Sequence, residues 1–451
     1  MNANSLNISY QSIWKMAIPL CAGAFLQFFI VIIDNYFVAQ LNGNAMSAVS
    51  FVGLIYIALG MLGAGLANAT QIIIAKKNGQ NKANDIPEVF LNALVIQIGI
   101  ICIQILTMSV VVPLLLKSFI ENENVLNYMI EFSTYRAFGF IFFSCIQLYQ
   151  AYWSGMTKTR SVFYSTALVA AITVFMDYVL IFGNFGMPQL GVKGAALATN
   201  LGEASGLLLL ILYTRKNGNL NVNFKISPPF IYVKNLLQLG IPIMIQMLIA
   251  LVIWIIFFGF IEKRGESSFQ SAFIVRNMYS LAWVSAMGFS SATKTYVSGL
   301  LAEKRDAEIF ITLKRLIISN VFLIAILTHG LVFYPGWIAE RFNASEEVIQ
   351  LTVASMHIVF PVILLFAVTN ILLAAVEGSG KTIQGLTIEI ATTICYILYA
   401  YWITFHTNAD VSIIWTADYV YFSGLGIFSL LFLSSWKWYR KYSRKISTIE
   451  K

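Results

Sequence analysis

Apolar residues run along this chain in long unbroken stretches, with polar positions gathered between them. Twelve such stretches can be counted, over 14–40, 47–75, 89–116, 130–152, 161–183, 190–214, 235–261, 270–298, 311–334, 351–376, 383–404 and 414–438. Each has about the 20 residues that a helix needs to cross the hydrocarbon of a bilayer. A backbone in lipid must satisfy its own hydrogen bonds, which leaves helices or closed barrels. The polar–apolar alternation of a barrel strand is absent. The pattern therefore predicts an all-α polytopic membrane protein with twelve transmembrane helices.

Composition agrees and charge adds orientation. Of the 451 residues, 58% are hydrophobic and 11% charged, with a mean hydropathy of +0.76, whereas a soluble domain is about half apolar and a quarter charged. The net charge of +8 could suggest a nucleic-acid partner, but its placement does not. The N-terminus, the even-numbered loops and the tail "WKWYRKYSRK", counted with the cytoplasmic span ends at Lys15, Lys314, Arg315 and Lys437, hold 21 of the 29 Lys and Arg; odd loops hold five, and the other three, Arg136, Arg276 and Lys294, lie inside spans. That asymmetry puts both termini in the cytoplasm. The first thirteen residues, "MNANSLNISYQSI", have no basic region before the first span, so that span is read as an uncleaved helix. Cys21, Cys102, Cys145 and Cys395 all fall inside spans without metal-ligand spacing and are read as packing residues.

The segment "AVEGSGKTI" contains GSGKT, which in a soluble protein suggests a nucleotide-binding loop. The full pattern G-x-x-x-x-G-K-[ST] requires a glycine where this chain has Ala375, and a strand before the loop. An apolar run precedes it instead. The loop after span four, "YWSGMTKTR", echoes it: Gly155, Lys158 and Thr159 match Gly378, Lys381 and Thr382 at one constant offset in the numbering. "IWKMAIPL" at Pro19 answers "LLQLGIPI" at Pro242, and "ANAT" at Thr70 answers "SSAT" at Thr293, at that same offset. The chain thus reads as two parallel-repeat six-helix lobes: an N-lobe over 1–215, a cytoplasmic linker over 216–234, and a C-lobe over 235–451 that ends in the basic tail. GSGKT becomes the cytoplasmic turn between helices ten and eleven, and no nucleotide is expected.

Paired repeats in a bilayer suggest alternating access about a site at their interface. Two acids in the first half are candidates for driving it. "FFIVIIDNYFVAQL" places Asp34 in span one and "ITVFMDYVLIFG" places Asp177 in span five. A carboxylate at such a position is disfavoured by about 2.5–3.5 kcal/mol on insertion scales. Each lies some six residues before the outer end of its span, about 9 Å in depth. Two carboxylates at equal depth could share a cation or one proton. The alternative is a pair of capped or hydrated acids near the outer surface.

At these residues the chain resembles a known family, the multidrug and toxic compound extrusion (MATE) transporters. The resemblance covers essentially the whole length and rests on "IDNYFVAQLNGNAMSAVS", "YWSGMTKTRSVFYST" and above all "DYVLIFGNFGMPQLGVKGAALATNL". It implies a V-shaped pair of six-helix lobes exporting amphipathic, often cationic compounds against inward H⁺ or Na⁺. By the same resemblance Asp34 and Asp177 are the N-lobe acids and Thr199 a hydroxyl ligand. Where many members have Asn, one turn before the helix-five acid, this chain has Thr173. Members that use C-lobe acids carry them on helices seven and ten; here helix seven has none, and helix ten has none before Glu377. The N-lobe is therefore expected to carry coupling, with Thr173 or Asn200 as a further ligand. The sparse neutral oxygens favour H⁺.

The candidates for the substrate cavity are Gln27, Asp34, Glu203 and Arg276, and other polar residues inside spans have readings of their own. Gln27 lies seven residues before Asp34, on the same helical face, and can line the cavity or bond to another helix. Glu203 can carry a proton or pair with a cation. Arg276 can pair with Glu389 or stay hydrated, and Lys294, near the end of its span, can snorkel. His329, His357 and His406 form no motif. The expected function is secondary multidrug efflux by a monomer in the bacterial inner (plasma) membrane. No cofactor beyond the coupling ion and no catalytic role are expected. Three alternatives stay open. A lipid-linked oligosaccharide flippase of the same superfamily would draw support from Arg276 and Lys294. A major-facilitator carrier would show a Gly–Asp–Arg signature that "KKNGQNKAND" lacks. An intramembrane transferase would need a His/Asp cluster at one membrane face.

Overall fold

In a computed structural model of the protein, the structure describes residues 6–217, 220, 230–342 and 344–435. The basic tail from Trp436 and most of the expected linker 216–234 lie outside the described residues. Among the described residues there is no strand. The helices are α1 (Tyr10–Ala39), α2 (Gly43–Gly79), α3 (Ile86–Leu106), α4 (Val112–Phe119), α5 (Glu123–Ala137), α6 (Gly139–Gly155), α7 (Arg160–Phe182), α8 (Val192–Asn217), α9 (Val233–Glu262), α10 (Glu266–Ala302), α11 (Ile309–Thr328), α12 (Gly330–Phe333), α13 (Pro335–Glu340), α14 (Glu346–Gly378), α15 (Thr382–His406), α16 (Val411–Ile414) and α17 (Ala417–Ser434).

Among the described residues, ten segments are long and apolar enough to cross a membrane; α5 and α6, bent by 48° at Phe138, make an eleventh together. α10, whose 37 residues are ample in length, falls short of that apolarity, so the described residues show eleven such spans where the sequence predicts twelve. Arg276, Lys294 and its many serines and threonines dilute its apolar character. This is the multi-pass all-α architecture expected from the apolar runs.

By contact the chain divides into two compact units, Met1–Leu248 with Ser298–Asp306, and Ile249–Val297 with Ala307–Lys451. This cut passes inside α9 and α10, and so differs from the six-and-six division by repeat. Each unit has its own apolar core. In the first, Phe90, Tyr152, Trp153 and Leu210 pack between helices. In the second, Phe257, Tyr279, Trp415 and Phe422 do so.

The repeat is legible in backbone detail. Non-glycine residues rarely take a positive φ, yet Asn81 (φ 58°) and Lys304 (φ 59°) both do, and the repeat offset relates them. Each ends a helix at the same kind of turn, and a short 3₁₀ segment follows at Ala83–Asp85 and at Asp306–Glu308. Thr157 (φ 59°) is matched by Gly380 (φ 79°). Thr70 donates to Leu66 O at 2.8 Å and Thr293 to Phe289 O at 2.7 Å, again at that offset. GSGKT is accordingly a helix–helix turn: α14 ends at Gly378, Gly380 takes the left-handed conformation, and α15 starts at Thr382.

Candidate functional site

The first unit brings the two predicted acids together through close helix packing. α7 ends at Gly183, which adopts φ 75°, and the chain returns as α8. Gly194, Gly202 and Gly206 form a small-residue stripe on α8 that lets it lie on α7. A Cβ at Gly194 would fall 2.5 Å from the carbonyl oxygen of Leu180, and one at Gly202 would collide with the Thr173 hydroxyl. Small residues at such a contact are what allow helix backbones to approach in a bilayer. On its other side α7 packs against α1, where Gly23 faces Thr166.

In this wedge Asp34 of α1 and Asp177 of α7 face each other at hydrogen-bonding range, with the Thr199 hydroxyl of α8 within reach of Asp34. The single Thr199 hydroxyl proton goes to Ala195 O at 3.0 Å, which leaves its oxygen lone pairs for a cation. Asp177 is wholly buried, at 0% exposure. Neither of its oxygens, nor Oδ1 of Asp34, nor the buried Thr173 hydroxyl one turn before Asp177, has a hydrogen-bond partner. Buried polar atoms without partners are uncommon and ask for a reason. Here the carboxyls meet with no donor between them, and a shared proton or a bound cation would satisfy both.

A second polar group stands beside this pair, and the sequence reading passed over its centre. Arg136, noted only as a charge inside a span, is buried at the end of α5. It makes a two-pronged ion pair with Glu203 of α8: Nη2 to Oε1 at 2.5 Å and Nη1 to Oε2 at 2.8 Å. Nη1 also donates to Asn200 Oδ1 at 2.6 Å, and the guanidinium carbon lies 3.8 Å from the centroid of the Tyr56 ring. The bend at Phe138 makes room, because Gly139 follows it directly. A Cβ there would collide with Arg136 Nη1 and Asn200 Oδ1. Arg136 and Glu203 are both close enough to act electrostatically on Asp34, with opposite signs.

The predicted residues therefore sort as follows. Asp34, Asp177 and Thr199 come together, with Thr173 beside Asp177 in the chain. Asn200, expected as a possible ligand, is engaged elsewhere: its oxygen accepts from Arg136 and its nitrogen donates to Tyr135 O at 2.8 Å. Glu203 pairs with a cation, as one of its two readings had it. Gln27 is exposed on α1 and makes no hydrogen bond to another described helix.

In the second unit one expectation is corrected and one of two alternatives is removed. Lys294 does not snorkel: its Nζ meets Glu377 Oε2 of α14 at 2.8 Å, and both residues are buried. Arg276 does not pair with Glu389. It lies over the rings of Phe273 at 5.1 Å and Phe258 at 5.4 Å, while Tyr421 donates a hydrogen bond to Glu389. Another buried acid, Asp418, went unnoticed in "WTADYVYF". With Trp254, Tyr396, Tyr421 and Phe422 it lines a cavity of about 20 Å³, room for a water-sized occupant. An acid inside an apolar run was the criterion that found Asp34, and it would have found Asp418 as well.

Comparison with known proteins follows the repeat. The MatE family model matches the chain twice, over residues 19–179 and 242–402, and the two matches are set apart by the repeat offset at both ends. The chain belongs to the MatE family. Among curated relatives it is similar to "Probable multidrug resistance protein NorM" of Thermotoga maritima, at 22% identity over 95% of this chain and 92% of that one. It is also similar to the protein of that name in Bacillus anthracis, at 24% identity over 82% of each. Two solved structures share the fold. One is a multidrug resistance MATE family transporter of the MOP superfamily in an outward-facing conformation. Its TM-score is 0.87 at 18% identity, covering 95% of this chain and 96% of that one. The other is a MOP superfamily transporter of Pyrococcus furiosus, described as having a binding pocket of reversed polarity. Its TM-score is 0.85 at 18% identity, covering 98% and 97%.

Proposed function

We propose that this MatE protein is a secondary multidrug efflux carrier. It exports amphipathic, often cationic compounds by alternating access, in antiport with H⁺ or Na⁺ bound at Asp34 and Asp177. It works as a monomer in the bacterial inner membrane with both termini cytoplasmic, and is not an enzyme. The observation that carries this reading is the Asp34–Asp177 pair in the first unit, with Asp177 wholly buried and three of the four carboxylate oxygens without a hydrogen-bond partner. An ionisable pair inside a membrane span that leaves its own oxygens unsatisfied is suited to taking up and releasing a cation. The names of the curated relatives support multidrug export. Thr199 serves as a neutral ligand and Thr173 as a further one, while Gln27, exposed on α1, belongs to the substrate path.

The flippase reading loses one of its two cations, because Lys294 is neutralised by Glu377. Dye efflux and drug resistance in a pump-deficient host, with the pH and Na⁺ gradients collapsed separately, test the proposal. Efflux should stop when one of the two gradients is removed. Efflux that survives loss of both would contradict it. For topology, a C-terminal reporter should be active in the cytoplasm, and activity only in the periplasm would reverse the assignment.

A further inference from the structure

The oxygen supply around the acid pair is smaller than the residues on α8 suggest, and one side chain is responsible. Asn200 and Glu203 sit one residue and one turn beyond Thr199, and each carries oxygens able to join a coordination shell. Both are held by Arg136. The guanidinium takes both carboxylate oxygens of Glu203 and the amide oxygen of Asn200. The other end of the Asn200 amide is fixed on the Tyr135 carbonyl. Arg136 is itself locked, with Tyr56 beneath its plane and the bare Cα of Gly139 beside it. A bidentate Arg–carboxylate pair is geometrically specific and stronger than a neutral hydrogen bond, so these oxygens do not turn towards Asp34.

The side-chain oxygens that remain for a cation are those of the two carboxylates and the hydroxyls of Thr199 and Thr173. A hard metal cation needs a full shell of oxygens to replace its water. A proton needs only two carboxyls at hydrogen-bonding range, which is what Asp34 and Asp177 offer. The Arg136–Glu203 pair adds a cation and an anion together, so it contributes no net charge to the site.

We propose that Arg136 sets the coupling ion: by sequestering Asn200 and Glu203 it leaves a site that exchanges protons and rejects Na⁺. This inference rests on the acid pair being the coupling site, and it makes Arg136 a specificity-determining residue that acts through its neighbours.

The test is transport of a cationic dye in proteoliposomes under either a pH gradient or a Na⁺ gradient at fixed pH. Wild-type protein should respond to the pH gradient alone. The double variant Arg136→Met/Glu203→Gln removes cation and anion together, leaves no uncompensated charge, and takes away the donor that holds the Asn200 oxygen. It should gain a several-fold response to the Na⁺ gradient. A folded double variant, verified by dye binding, that still responds to pH alone would overturn the proposal. Dye affinity of wild-type protein in detergent, at constant pH and ionic strength, gives a second readout that needs no variant. Exchanging choline for Na⁺ should leave it unchanged, and a several-fold shift would overturn the proposal. Asp34→Asn separates this inference from the reading beneath it. If that variant keeps ion-coupled transport, the coupling site is wrong, whatever Arg136 does.

Discussion

Lys294 and Glu377 form an ion pair of 2.8 Å buried between α10 and α14, at positions whose counterparts in the first half, by the repeat offset, are the uncharged Gln71 and Ser154. The crossing itself is the same in both halves. A Cβ on Gly155 would lie 3.0 Å from the carbonyl oxygen of Gln71, and one on Gly378 would lie 2.9 Å from that of Lys294. The repeat has kept the backbone contact and changed the chemistry laid over it.

Breaking this pair from one side should be strongly destabilising. Removing one member of a buried ion pair leaves a charge without compensation and disfavours the fold by about 3–5 kcal/mol. Lys294→Met and Glu377→Leu should each lower the melting temperature in detergent markedly. The double variant should recover most of the loss, since apolar replacement of both partners is often near neutral. Single and double variants of equal stability would show that the pair contributes no coupling.

Gly139 should tolerate no side chain. Gly139→Ala drives a methyl into Arg136 Nη1 and Asn200 Oδ1, and displacing the guanidinium strips Glu203 of its partner. Transport and thermal stability should both fall. Gly99→Ala on α3, where a Cβ meets nothing within 4 Å, should leave both unchanged. Similar behaviour of the two variants would mean that the packing at Gly139 relaxes freely.

Thr157 holds a left-handed conformation that its counterpart Gly380 adopts without strain. A β-branched residue there carries a backbone strain of about 1–3 kcal/mol, part of which a glycine would give back as chain entropy. Thr157→Gly should therefore raise stability by about 1 kcal/mol, read as a higher melting temperature with transport intact. A lower melting temperature would show that the threonine side chain contributes more than its conformation costs.

Because GSGKT is a turn between α14 and α15, Lys381→Ala should leave dye efflux near the wild-type level. Loss of efflux together with loss of measurable ATP binding would mean that the segment binds nucleotide after all.

What could be read in the sequence follows from where the information lies. Span positions were legible because apolar run length is a one-dimensional signal. The repeat was legible because three matches shared one offset, and the paired turns at Asn81 and Lys304 carry that offset into the backbone. Asp34 and Asp177 stood out as acids in apolar runs. The Arg136–Glu203 pair did not: its partners are 67 residues apart, and their meeting depends on the bend at Phe138 and on the glycine after it. Lys294 was misread for the same kind of reason. A lysine near a span end looks free to reach water, and nothing local says that Glu377 crosses it. The Asn200 oxygen looked available because the sequence does not show what holds it.

The central claim is that Asp34 and Asp177 together bind the coupling ion. Substrate-driven ion flux in proteoliposomes tests it most directly, with Asp34→Asn and Asp177→Asn compared against wild-type protein and dye binding measured in parallel. Either substitution should abolish coupled flux while dye binding persists, because an amide cannot exchange a proton with the remaining carboxyl or offer a charged ligand to a cation. If both variants still drive transport against a gradient at the wild-type rate, the coupling site lies elsewhere and the account fails.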